Sequence, residues 1–164
     1  METHLALGYA SCFTVVPNGL DASIWRPRPE LRRPVRALLH LPEEAFVFAH
    51  AGRADPQKNH EGLALAFNAV CAKHPSAWLL LCGAGLETGA SYLLDLPFTA
   101  EARQKVVELG PRDDLPDLWQ GADAFVLSSF GEGFPNVVAE AMASGLPCVV
   151  TDAGDAAEIV GDTG

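Results

Sequence analysis

The sequence predicts an α/β fold, a doubly wound parallel sheet with helices on both faces. Three observations carry this. Strand-length runs, Phe46–Ala51, Trp78–Cys82 and Asp123–Leu127 among them, alternate with segments of helical spacing. The runs are nearly continuously apolar, as strands buried on both faces are. Glycine follows closely on the first two runs, at Gly52 and Gly83, and on the third at Gly131, so turns fall at the strand ends.

Taken in order, residues 1–20 read as a helix tail, a short strand at Thr14-Val15-Val16 and a Pro-Asn-Gly turn. Residues 21–44 are Pro-rich and irregular, with a short helix at Pro34–Leu39. Phe46–Ala51 is the first core strand. Glu61–Lys73 follows as a helix, with Leu63, Ala66, Phe67 and Val70 on one face, and His74-Pro75 ends it. Trp78–Cys82 is the second strand. Residues 86–105 read as a loop with a helix from Thr99 to Lys105. Val106–Leu109 is a third strand, and a short helix follows around Leu115–Gln120. Asp123–Leu127 is the fourth strand. Pro135–Ser144 is a helix with Pro at its first turn and Gly145 past its end. Pro147–Thr151 is the fifth strand, and Asp155–Val160 opens another helix.

Composition bounds the function. The chain has 164 residues, about half of them apolar, enough for one domain with its own core. No apolar run reaches the length of a membrane span, and no basic segment precedes an apolar stretch at the N-terminus. The formal net charge is -10. Five of the eleven basic residues, Arg26, Arg28, Arg32, Arg33 and Arg36, lie in one strip among prolines, read as a solvated loop. From residue 37 onward six basic residues face eighteen acidic ones, which argues against nucleic-acid binding. Cys12, Cys71, Cys82 and Cys148 form no C-x-x-C pair and read as free thiols in a reducing compartment. The five histidines show no metal spacing, and no metal site is expected.

In parallel sheets, ligands bind beyond the carboxyl ends of the strands. Two loops there carry chemistry. Gly52-Arg53-Ala54-Asp55-Pro56-Gln57-Lys58 follows the first core strand. Gly52 lets a ligand approach the backbone, and Arg53 and Lys58 suit a diphosphate; the plainer reading is two exposed cations. The segment Ser128-Ser129-Phe130-Gly131-Glu132-Gly133-Phe134-Pro135-Asn136 follows the fourth strand and opens a helix. Its free amides near Asn136 and Val137, with the helix dipole, favour an anion. Glu132 can accept bonds from sugar hydroxyls. Glu140, in the second helical turn, can bind ribose, or is a half-buried helix carboxylate with a local partner. A third loop, Gly83–Gly89, matches a dinucleotide fingerprint only loosely and reads as a tight turn. Asp113-Asp114 reads as solvated.

Five segments in order resemble the C-terminal, nucleotide-sugar-binding half of a family 4 glycosyltransferase of the GT-B fold. They are Val16-Pro17-Asn18-Gly19-Leu20-Asp21, Ala51-Gly52-Arg53 with Lys58, Leu79–Gly85, Ala122–Ser129, and Glu132–Glu140 running on to Pro147. Glu158-Ile159-Val160 matches as well. The resemblance covers nearly the whole chain. It implies a Rossmann-like domain in which Arg53 and Lys58 hold the donor diphosphate and act in catalysis with Glu132, which meets the donor sugar. Glu140 would hold the ribose, and Gly52, Gly133, Phe134, Pro135 and Asn136 would line the phosphates and sugar. The donor would be a UDP-, GDP- or ADP-linked sugar, transferred with retention, without metal or other cofactor.

The resemblance also sets what lies around the domain. Residues 1–20 would be the linker entering it and 21–164 the donor-binding domain, shortened at its C-terminus. The acceptor half would come from an absent N-terminal domain or a separate chain. The setting would be cytoplasmic, at the inner membrane surface through the acceptor. Two alternatives are a non-catalytic partner domain derived from a glycosyltransferase and an NAD-linked oxidoreductase domain resting on Gly83–Gly89. The family's usual Pro-Ser ahead of the glutamate loop is Ser128-Ser129 here.

Overall fold

A computed structural model describes residues 16–163. Most of the strand expected at Thr14-Val15-Val16, and the helix tail before it, lie outside the described residues. The sheet has five parallel strands: β1 (Phe46–Ala51), β2 (Ala77–Cys82), β3 (Val106–Gly110), β4 (Ala124–Leu127) and β5 (Cys148–Val150). Their spatial order is β3-β2-β1-β4-β5. The chain winds outward from β1 in one direction and then returns to add β4 on its other side. The order therefore switches between β1 and β4, where an open parallel sheet forms a crevice.

Alternation along each strand divides the core in two. Val47, Ala49, Leu80, Phe125 and Leu127 face one layer with Trp119, Val138 and Ala141. That layer holds the helices α1 (Arg32–Leu38), α5 (Leu115–Leu118), α6 (Asn136–Ala143) and α7 (Ala156–Val160). Leu79 and Leu81 face the other layer with Leu63, Phe67, Cys71 and Leu93. There lie α2 (His60–Lys73) and the single-turn helices α3 (Ser91–Leu94) and α4 (Ala100–Arg103). Helices on both faces of a parallel sheet make the Rossmann-like, doubly wound fold that the sequence predicts.

Several local expectations need correction. The buried face of α2 is His60, Leu63, Ala64, Phe67 and Cys71, while Ala66 is exposed. The helix starts one residue early because Asn59, left-handed at φ 51°, caps it by accepting the Gly62 amide at 3.0 Å. Pro135 is the N-cap of α6 rather than its first residue. The stretch 86–105 holds a second short helix, α3.

Three of the strip's five arginines are packed into ion pairs rather than solvated, while Arg26 and Arg33 are exposed. Arg36 is buried, donating to Gly121 O at 3.0 Å, to Glu43 O at 2.7 Å and to Asp123 Oδ2 at 2.7 Å. Arg32 reaches Asp123 Oδ1 at 2.5 Å, and the Val47 amide also donates to Asp123, at 2.8 Å. Arg28 pairs with Asp117 at 2.6 Å. One carboxylate thus ties α1 to the start of β1 and β4, and the prolines merely bring the strip to it. Among the described residues Cys71, Cys82 and Cys148 are free and buried, and burial pushes the Cys82 thiol up to about 12.

Candidate functional site

The loops after β1 and β4 lie side by side because their strands pair in the sheet. They are knit together by three hydrogen bonds. Gln57 Nε2 donates to Gly131 O at 2.7 Å, the Phe130 amide donates to Gln57 O at 2.8 Å, and Ser128 Oγ donates to Lys58 O at 2.9 Å. Above them Lys58 Nζ lies 2.6 Å from Glu132 Oε1, with side chains only 17% and 11% exposed. Ser129 Oγ donates to the same oxygen at 2.6 Å. Oε2 of Glu132 accepts no hydrogen bond among the described residues and is the oxygen left for a ligand.

Arg53 turns the other way. Its Nε and Nη2 meet Asp55 Oδ2 at 3.1 and 2.9 Å, and it is 65% exposed. The two cations therefore do not converge on one point; each carries its own carboxylate. Asp55 also caps the 3-10 turn Pro56–Lys58 by accepting the Gln57 amide at 2.9 Å. That bond, and then Arg53, hold its carboxyl below the usual range. A phosphate oxygen arriving at this turn would meet one shielded cation at the floor and one exposed cation at the rim.

At α6 the Val138 amide turns back to Pro135 O at 3.0 Å. The Asn136 and Val137 amides have no partner among the described residues, and they point out of the helix start where an anion is favoured. Asn136 Oδ1 accepts from Asn18 Nδ2 at 2.9 Å, which ties the entering segment to this helix. Glu140 is half-buried, burial raises its carboxyl pKa, and its carboxylate has no partner among the described residues. It lines an open cleft with Asn18, Asp21, Trp25 and Asn136. The plainer expectation, a local partner for Glu140, is not met.

Glycines set the closeness of these loops. A Cβ on Gly52 would press on His50 Nε2 at 3.3 Å and on the Lys58 stem at 3.4 Å. A Cβ on Gly83, at φ 142°, would overlap Gly52 O, so this glycine serves the packing of the β2 loop under the β1 loop. Nothing within 4 Å would meet a Cβ on Gly133, which opens on solvent.

Sequence reasoning missed three contributors. Ser129 orients Glu132. Ser128, which stands where the family usually has Pro, pins the Lys58 turn with its hydroxyl. Gly154, at φ 56°, lets the β5 loop pack where a Cβ would overlap Glu132 O and Gly133 O, and the Asp155 amide donates to Gly133 O at 3.0 Å. Only the small size of Gly154 in a turn after a strand could have signalled the last.

Fold and site together define a C-terminal, Rossmann-like domain of a GT-B glycosyltransferase. The chain belongs to the family glycosyl transferases group 1, whose model matches residues 32–164. It is similar to UDP-Gal:alpha-D-GlcNAc-diphosphoundecaprenol alpha-1,3-galactosyltransferase of Escherichia coli, 30% identical over 145 residues, covering 85% of this chain and 36% of that protein. It is also similar to Alr3699/HepE of Anabaena, crystallised in complex with UDP-glucose, at 28% identity and a TM-score of 0.73, over 86% of this chain and 39% of that one. The fold is shared with the crystallised C-terminal domain of a group 1 family protein, LpcC, from Francisella tularensis, at 22% identity and TM-score 0.69, over 88% of this chain and 76% of that one. The chain spans about a third of the length of the curated relatives it matches. Among the described residues, no helix is long and apolar enough to cross a membrane.

Proposed function

We propose that this domain binds the nucleoside-diphosphate sugar of a retaining, metal-independent family 4 glycosyltransferase. The observation that carries the reading is the Lys58–Glu132 pair at the switch point, flanked by Arg53 on one side and by the unpartnered Glu140 on the other. In this reading Lys58, released from Glu132 in part, and Arg53, released from Asp55, meet the diphosphate. As the bond from the anomeric carbon to the diphosphate breaks, its electron pair passes to the leaving oxygen, and the two cations stabilise that charge where it develops. Glu132 Oε2 takes a sugar hydroxyl, and the free Glu140 carboxylate takes the ribose. Gly52 and Gly133, with the backbone of Phe134, Pro135 and Asn136, admit phosphate and sugar closely.

The UDP-glucose complex of the Anabaena relative supports a UDP-linked donor. Residues 1–20 act as the linker into the domain at 21–164. Groups outside it, on an N-terminal domain or a separate chain, hold the acceptor against the anomeric carbon. The diphosphoundecaprenol acceptor in the name of the E. coli relative supports work in the cytoplasm at the inner membrane surface.

Calorimetry with UDP, GDP and ADP tests this. UDP is expected to bind, and Arg53→Ala to weaken it about tenfold. Absence of binding to all three, or indifference to Arg53, sinks the donor site.

A further inference from the structure

Two imidazoles lie beneath the site, and the donor reading gives them no part. His50, on β1, is fully buried, and so is His60, the first residue of α2. His50 Nδ1 lies 2.9 Å from the Val126 carbonyl oxygen of β4. Its Nε2 lies 3.1 Å from His60 Nε2, and His60 Nδ1 lies 3.1 Å from the Tyr92 hydroxyl of α3. A carbonyl can only accept, so His50 carries its proton on Nδ1. Its Nε2 is then an acceptor, which obliges His60 to donate from Nε2. His60 Nδ1 is left to accept from Tyr92. One direction of hydrogen bonding satisfies the whole chain with both rings neutral. A proton added between the rings would set two N–H groups head to head.

This chain of bonds is fastened to the cationic turn. Lys58 stands two residues before His60, with left-handed Asn59 between them. A Cβ on Gly52 would touch both His50 Nε2 and the Lys58 stem, so ring and stem border the same point. The Lys58 carbonyl is held by Ser128 and its ammonium by Glu132. Beyond Asn59 the chain enters α2 at His60, whose ring is held by His50 and Tyr92.

We propose that His50 and His60 are positioning residues, which with Tyr92 fix the turn carrying Lys58 and so hold its ammonium where the donor diphosphate is met. This rests on the donor-binding reading. The charged and titratable groups facing the pair are Lys58 and Asp55 from the turn after β1, Glu132 from the loop after β4, Tyr92 from α3, and Glu61 beside Tyr92. Burial pushes His50 down to about 4 and His60 to about 3, in keeping with a neutral pair.

The test uses the 164-residue chain with UDP as probe. His60→Leu keeps the bulk and removes both hydrogen bonds; His60→Gln retains one donor and one acceptor. UDP affinity is expected to fall about tenfold in His60→Leu and to return most of the way in His60→Gln. A role in packing alone would make Leu at least as good as Gln, and that order overturns the proposal. Nitrogen-15 spectra supply a readout independent of UDP. His50 is expected as the Nδ1–H tautomer and His60 as Nε2–H down to about pH 5.5, with the Lys58 Nζ resonance moved in His60→Leu and restored in His60→Gln. The reverse tautomers, a ring titrating near its ordinary value, or a Lys58 resonance indifferent to His60 overturns the proposal whether or not UDP binds. If His60→Leu does not fold, Tyr92→Phe, which removes only the terminal hydroxyl, is read the same way. If the wild type binds no UDP while the tautomers and the Lys58 shift are as stated, the donor reading fails and the positioning of Lys58 stands.

Discussion

Lys58 and Glu132, 74 residues apart in sequence, meet at 2.6 Å across the gap between two neighbouring strands. Each is mostly shielded from water, so removing one leaves the other poorly solvated. Lys58→Ala is therefore expected to cost about 2 to 3 kcal/mol of stability, somewhat less than a fully buried pair because Ser129 still donates to Glu132. It should also weaken UDP at least tenfold. Glu132→Gln should leave UDP binding near wild type or tighten it, since the ammonium is freed, while weakening discrimination between UDP and UDP-sugars. Denaturant unfolding and calorimetry check both.

Gly154 tests how the glutamate loop is supported. Gly154→Ala places a methyl group onto the Glu132 and Gly133 carbonyls at a positive φ. The loop must then move, and the expected result is a loss of UDP affinity together with a lower melting temperature. Gly161→Ala, also at positive φ but with nothing within 4 Å, should lower stability by about 1 to 3 kcal/mol through backbone strain and leave UDP affinity unchanged.

Asp123 tests the arginine network. It accepts from Arg32, Arg36 and the Val47 amide. Asp123→Ala strands the buried Arg36 and is expected to cost about 3 to 5 kcal/mol in urea unfolding. Arg33→Ala, whose side chain is 87% exposed, should cost about 0.5 kcal/mol or less. Nucleotide affinity measured on the folded Arg33 variant should not change.

This network also shows where the sequence stopped being informative. The strands were legible because continuous apolar runs closed by glycines have few other uses, and β1 was read to the residue. The two site loops were legible because glycines, cations and glutamates gather at strand ends. Pairings across the sheet were not. Nothing in the local pattern around Arg36 names Asp123, 87 residues away, as its partner. His50 sits in an apolar run like any core residue, and its bond to His60 exists only because the loop after β1 returns the start of α2 to that strand. Arg53 and Lys58 stand on the turn after β1, and their directions depend on Asp55 and Glu132, which periodicity does not rank.

The buried imidazoles also give a pH prediction. Both have folded pKa values, about 4 and about 3, below the unfolded value of about 6.5. Between those values the unfolded chain binds more protons than the folded one, so stability rises with pH there. The full contribution is present above about pH 6.5 and is lost as pH falls toward 4, with a slope of up to about 1.4 kcal/mol per pH unit for each ring. Denaturant titrations from pH 7.5 to 4.5 should show this decline, and His60→Gln should make it shallower.

The strand order has a consequence during synthesis. β1, β2 and β3 can pair as soon as residue 110 has emerged, but the other edge of β1, with Phe48 and Ala49, then waits for β4. For the time taken to translate the next stretch, the nascent chain presents the open edge of its central strand, the kind of surface on which chains associate. No ligand can shield it, because Glu132 and Glu140 have not yet emerged. Ribosome pausing at the length where β3 has just emerged should therefore raise the aggregated fraction, and pausing once β4 has emerged should not.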